Sequence, residues 1–272
     1  MSVNRYQISV QNYIDYHKEG YIIVRGLVSE DEVDEIRFHT EELMRGDLTI
    51  DGVDPPPQGV TSEQMAQHWL RIHMLHRKHQ LHEKYMLQPK ILDVLEALIG
   101  PDILALQTML FLKPPGREGQ GFHQDAYYIP TYPDTLIGSW LAVDPADEEN
   151  GCVMVIPESH HEPIYPDEHR RGQNHTDESI GDLNVINGAS ATDENLNGLS
   201  KIASKYGGNE IPTRMAPGDV MFFHSHLLHR SHENKTNTQF RRAFVSHYCN
   251  ARSWVPWNHG ADFEGPSANY LH

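Results

Sequence analysis

Residues 119–134, GQGFHQDAYYIPTYPD, set a histidine and an aspartate two positions apart, His123 and Asp125, between a glycine-rich run and a group of aromatics. Imidazole and carboxylate both bind divalent metals, so the pair could be part of a metal site. In an extended segment, residues i and i+2 point to the same side, and the two groups would converge on one point. The motif alone is weak. With 19 histidines in the chain, about one His-x-Asp arises by chance. A second copy, His175 and Asp177 in GQNHTDES, sits in a polar stretch with no strand to hold it. The first copy follows a strong strand and is flanked by Phe122, Tyr127 and Tyr128, surroundings suited to excluding water.

A useful site needs a third ligand from elsewhere in the chain. The stretch FFHSHLLHRSHENKT offers His224, His226, His229 and His232. His229 closes the apolar element that DVMFF opens and Leu227 and Leu228 continue, which favours it; spacing leaves the other three open. Two histidines and one carboxylate, with the opposite face open, favour Fe(II) and oxygen chemistry. A carboxylate co-substrate would need a cation nearby, and QFRRAF supplies Arg241 and Arg242. Adjacent residues on a strand face opposite sides, so one of the two can point inward. Arginine suits the task because its fork binds a carboxylate bidentately.

The elements that must position these residues change character along the 272-residue chain. The first hundred residues read as mainly helical support. SVQNYIDYHKEG stops at Gly20, a plausible left-handed terminator, and GYIIVRG is a short strand. In SEDEVDEIRFHTEELM, Ser29 and Glu32 form a capping-box pattern, and Val33, Ile36, Thr40, Leu43 and Met44 share one helical face. DGVDPPPQGVTSEQ is a loop, residues 63–85 are helical by composition, and QPKILDVLEALIGP is a helix opened by Pro89 and closed by Gly100. From residue 101 the chain reads as strands: DILALQTMLFLK, TLIGSWLAVD, GCVMVIP, GDVMFFHSHLLH and RRAFVSHYCN. On the first of these, Gln107, Met109, Phe111 and Lys113 should share a face. Residues 101–161 and 213–250 thus form a β core, and the polar stretch 162–212 reads as an insertion or lid. Helices first and strands later suggest one α+β domain over residues 1–272.

Composition narrows the partners. With 22 basic and 38 acidic residues the net charge is −16, which repels nucleic acid and anionic membranes. No run approaches the roughly 20 apolar residues that span a bilayer. The first residues lack the apolar core of a signal peptide, and ANYLH carries no peroxisomal address. Cys152 and Cys249 are too few for a disulfide framework and read as core thiols. Together these features indicate a cytoplasmic protein with reduced thiols.

Several ordered stretches resemble the phytanoyl-CoA dioxygenase family of Fe(II)- and 2-oxoglutarate-dependent oxygenases. They are GYIIVRGLVSEDEVDEIR, LQTMLFLKPPG, FHQDAYY, SWLAVDPADEENGCVMVIPESH, GDVMFFHSHLLHRSHENKT and FRRAFVSHY. The resemblance implies a double-stranded β-helix, a cupin-like jelly-roll, with N-terminal supporting helices. It implies iron ligation by His123, Asp125 and His229. It places the distal carboxylate of 2-oxoglutarate on Arg241, assisted by Ser231. Trp140 and Met109 match positions lining the co-substrate pocket, and Arg71 matches a basic residue that approaches it. The implied reaction consumes O2 and 2-oxoglutarate, releases succinate and CO2, and oxidises an unactivated C–H bond. Related halogenases lack the carboxylate ligand, so Asp125 favours hydroxylation or another oxidation such as desaturation. A fatty-acyl group, an amino-acid derivative and a secondary metabolite all fit as substrate, although the acidic charge does not favour a CoA thioester. Two other readings compete: a cupin-like metalloprotein that uses another divalent metal without 2-oxoglutarate, and a non-catalytic binding module on the same fold.

Overall fold

The computed structural model describes residues 5–59, 61, 64, 68–165, 184–186, 199–255 and 270–271. The His175/Asp177 pair and most of the 162–212 insertion lie outside them. Two antiparallel sheets face each other. The larger has eight strands, with β1 (Tyr21–Val24), β9 (Val220–His224), β5 (Ile137–Ala142), β11 (Arg241–Asn250), β3 (Ile103–Lys113), β2 (Arg71–His73) and β7 (Asn184–Ile186) in spatial order, and β12 (Tyr270–Leu271) also pairing with β3. The smaller has four: β4 (Gln120–His123), β10 (His229–Ser231), β6 (Val153–Val155) and β8 (Ile211–Pro212). This is the jelly-roll core that the resemblance implied.

The helices cover the outer face of the large sheet. Helix α1 (Val10–Glu19) is capped by Ser9 and ended by Gly20 at φ 85°. Helix α2 (Glu30–Arg45) begins with the expected Ser29/Glu32 capping box. Its apolar face sets Val33, Ile36 and Leu43 into one core with Phe222, Phe244 and Tyr248 from the sheet. Helices α3 (Gln80–Met86) and α4 (Pro89–Ile99) join the same core through Tyr85, Met86, Val94 and Leu95. A second core lies between the sheets and includes Trp140, Val153, Met221, Phe223 and Val245, with Met109 and Phe111 packed against it.

Two expectations are corrected. Residues 63–85 are not one helix: 71–73 form strand β2, which pairs with β3 and β7, before a short 3-10 turn at Leu75–Arg77 and then α3. The stretch Leu70-Arg-Ile-His-Met74 alternates, burying Leu70, Ile72 and Met74 and turning Arg71 and His73 to the opposite face. Sheet pairing overrode its helical composition. Likewise GDVMFFHSHLLH is not one strand. It leaves the large sheet after His224 and enters the small sheet at His229.

Helices α2 and α3 meet through two imidazoles, with His39 Nε2 2.9 Å from His82 Nε2. Close by in the chain, His76 Nδ1 lies 3.0 Å from Thr108 Oγ1. Burial pushes His39 and His76 down to about 4, and His82 well below the ordinary histidine value. Below pH about 6.5 the unfolded chain therefore takes up protons that these folded histidines refuse, so stability falls until about pH 4. The metal-free protein should show a urea midpoint that drops steadily from pH about 7 to about 5. A flat profile would contradict this packing.

Candidate active site

The antiparallel pairing of β4 with β10 sets His123 directly opposite His229. Their rings stand 4.0 Å apart between centroids. Gln124 is extended (φ −123°, ψ 127°), so Asp125, two residues on, returns to the side of His123 before the chain turns into a short 3-10 segment. Ligand atoms from His123, Asp125 and His229 all lie within 4.8 Å of one another, and among the described residues no other group of three does so. Asp125 Oδ1 is 3.8 Å from His123 Nε2 and 3.7 Å from His229 Nε2.

Each imidazole is held by its far nitrogen. His123 Nδ1 donates to the Gly121 carbonyl and His229 Nδ1 to the Leu227 carbonyl, both at 2.9 Å. Both Nε2 atoms therefore present lone pairs to the shared point, the form a metal ligand needs. Burial, reinforced by His229, pushes His123 down to about 3. For Asp125, burial acts upward, but His247 and His229 together with the His247 hydrogen bond hold it below the usual carboxylate range. A neutral His123, an ionised Asp125 and the His229 Nε2 atom beside them are a donor set that fits a divalent cation.

His247, not anticipated from the sequence, completes this arrangement. Its Nε2 donates to Asp125 Oδ2 at 2.8 Å, and Gln107 Nε2 lies 3.0 Å from its Nδ1. With Oδ2 engaged, Oδ1 remains for a metal. The signal was present in strand parity: counting by twos from Arg241 along β11 reaches His247 on the same face.

The two neighbouring arginines differ in their charge partners. Arg242 faces outward and is paired, its Nε 2.7 Å from Asp144 Oδ2 and its Nη1 3.1 Å from Glu41 Oε1. Arg241 faces inward, is 3% exposed, and has no hydrogen-bond partner for Nε among the described residues. Its guanidinium stands 5.4 Å from the Trp140 ring and 6.0 Å from the Phe111 ring. Burial pushes it down to about 10. An unpaired buried cation is costly unless an anion joins it, so this pocket fits a carboxylate.

The other expected residues line the same space. Met109, Trp140, Arg241, Ser231 and the three candidate ligands surround one cavity, and Arg71 and Lys113 border its extension beside Ser231. The three other histidines of the cluster are engaged elsewhere: His226 Nε2 lies 2.6 Å from Asp134 Oδ2, His224 packs near His160, and His232 is 3.8 Å from Glu210. Glu148 pairs with Arg214, and Asn150 bonds the turn at Asp147 and Pro145. Cys152 and Cys249 are free and buried.

A facial set of two histidines and a carboxylate inside a double-stranded β-helix is the hallmark of the Fe(II)- and 2-oxoglutarate-dependent dioxygenases. The chain belongs to the phytanoyl-CoA dioxygenase (PhyH) family, whose model matches residues 16–243. It is 27% identical to the peroxisomal phytanoyl-CoA dioxygenase of Bos taurus over 273 residues, which covers 96% of this chain and 72% of that protein. The fold is shared with the 2-oxoglutarate-dependent carbocyclase SnoK of nogalamycin biosynthesis (TM-score 0.67, 19% identity, 97% of this chain and 96% of that one). It is also shared with EctD from S. alaskensis, solved with 2-oxoglutarate and 5-hydroxyectoine (TM-score 0.64, 20% identity, 92% and 79%).

If His247 aims Asp125, replacing it by leucine should weaken Fe(II) binding about 10- to 100-fold. A competition titration with a chelating indicator would measure this. Unchanged affinity would show that Asp125 is held by its own backbone alone.

Proposed function

We propose that the chain is a small-molecule hydroxylase that uses Fe(II), 2-oxoglutarate and O2, with His123, Asp125 and His229 as iron ligands and Arg241 as the anchor of the co-substrate. The observation that carries this reading is the pairing, in one cavity, of a metal-ready triad with an inward arginine that has no ion-pair partner among the described residues. A metal site serving other chemistry would give Arg241 no task. A binding module would have no need of three converging ligands.

When bound, the iron supplies the activation of O2, and with it the oxidation of 2-oxoglutarate to succinate and CO2 and of a substrate C–H bond. The chain's own residues position and shield. Arg241 takes the distal carboxylate, and Ser231 adds a hydroxyl beside it. Trp140, Met109 and Phe111 wall the co-substrate and keep water out. Arg71, on β2 opposite Phe111, brings a second positive charge to the same space. His247 restrains Asp125 through one oxygen, which would leave the other to hold the iron. We read residues 1–272 as one domain, located in the cytoplasm.

The substrate does not follow from the fold. The names of the three relatives point to phytanoyl-CoA, to nogalamycin biosynthesis and to 5-hydroxyectoine, respectively, so this scaffold serves unlike molecules. The net charge of −16 again disfavours a CoA thioester, whose phosphates seek basic residues.

Succinate release from 2-oxoglutarate, measured with Fe(II) under air, tests the proposal. Asp125→Ala should abolish it. Arg241→Ala should raise KM for 2-oxoglutarate by about 30-fold or more, as expected for removal of one partner of a buried charge pair. Arg242→Ala should leave that KM unchanged and lower stability instead, because it leaves the buried Asp144 carboxylate with only Arg37, at 3.6 Å, as a cationic partner among the described residues. Turnover that survives Asp125→Ala would refute the assignment.

A further inference from the structure

We propose that Lys113 is a positioning residue of the co-substrate subsite: it turns the Ser231 hydroxyl proton toward the carboxylate that Arg241 takes, and so favours 2-oxo dicarboxylic over 2-oxo monocarboxylic acids. This inference rests on the reading of Arg241 given above.

Lysine is seldom fully buried, yet Lys113 is 1% exposed and ranks among the largest fully buried side chains. It ends β3 directly opposite Arg241 on β11. Its Nζ lies 3.2 Å from Ser231 Oγ and also donates to the His232 carbonyl. The surrounding backbone leaves room for the ammonium. Gly151 sits at φ +77°, and a Cβ there would stand 2.8 Å from Lys113 Nζ and 2.4 Å from the His232 carbonyl oxygen. At Gly119 a Cβ would come within 2.0 Å of the Ser231 carbonyl oxygen. Lysine, serine and two glycines are therefore fitted together at the end of the cavity.

Ser231 Oγ accepts from Lys113 Nζ and, at 3.3 Å, from the Gln120 backbone N–H. A hydroxyl has two acceptor lone pairs and one proton. With both lone pairs engaged, Ser231 is left to donate. The open space before it is the one lined by Arg241 and Arg71. A hydroxyl fixed as a donor, beside a guanidinium with no ion-pair partner among the described residues, matches a carboxylate oxygen and not a methyl or a neutral donor. Without Lys113 the hydroxyl could rotate and spend its proton elsewhere. A lysine that merely tied residues 231–232 to β3 would make the same bonds but would not affect which acid binds.

The test uses the Fe(II)-loaded full chain under anaerobic conditions and compares 2-oxoglutarate with 2-oxovalerate, which has the same chain length and a methyl in place of the distal carboxylate. Dissociation constants are read from the visible band of the chelate. Lys113→Met should weaken 2-oxoglutarate about tenfold or more and 2-oxovalerate by less than about twofold, since the loss is confined to charge-assisted bonds at the distal end. Ser231→Ala should add little in the Lys113→Met background, because both changes remove the same interaction. Lys113→Gln, shorter and uncharged, serves where the methionine variant does not fold, with the same selective loss expected. Equal weakening of both acids, or an unchanged preference in a discriminating enzyme, would overturn the role of Lys113 alone. A wild type that does not distinguish the two acids would overturn the Arg241 reading and this inference with it.

Discussion

The pairing of His229 with His123 across two short strands is the contact on which the rest of the site depends. It lies in the small sheet, far in sequence from the helices, and it works only because the chain changes sheets between His224 and His229. That crossing puts one histidine of a crowded run opposite His123 and sends its neighbours elsewhere. Asp125 then closes the triad without any further long-range contact, since one extended residue, Gln124, returns it to the same side. Apart from Ser231 on β10, the large sheet supplies the rest, because its inner face carries Arg241, Trp140, Met109, Lys113 and His247 along paired strands.

Charge explains the division of labour on that face. Neighbouring arginines on β11 meet opposite fates. Arg242 is neutralised by Asp144 and Glu41 and locks α2 to the sheet, while Arg241 stays buried beside aromatic rings with no ion-pair partner among the described residues. A fold would discard such a residue unless a ligand completed it. The triad likewise gathers two imidazoles and an ionised carboxylate at one point, a set prepared for a cation.

Much of this was legible in the sequence because strand parity is strict. It selected His123 with Asp125, it set Gln107, Met109, Phe111 and Lys113 on one face, and it allowed only one of the two arginines to point inward. It also held His247, which went unread because nothing marked that histidine among so many. The third ligand could not be fixed by spacing alone: the choice among His224, His226, His229 and His232 turns on where the chain leaves one sheet for the other, a matter of tertiary packing. Strand β2 was hidden for a similar reason. Its residues have helical composition, and the alternation from Leu70 to Met74 takes effect only when β3 lies alongside it.

One cavity that takes a cation on His123, Asp125 and His229 must also take a dicarboxylate on Arg241 if the protein is to use 2-oxoglutarate. An anaerobic crystal structure of the protein with Fe(II) and 2-oxoglutarate would show both at once. Iron should be bound by the two Nε2 atoms and Asp125 Oδ1, with the distal carboxylate bridged between Arg241 and Ser231. Iron held instead at His226 and Asp134, or a co-substrate whose distal carboxylate avoids Arg241, would contradict this assignment.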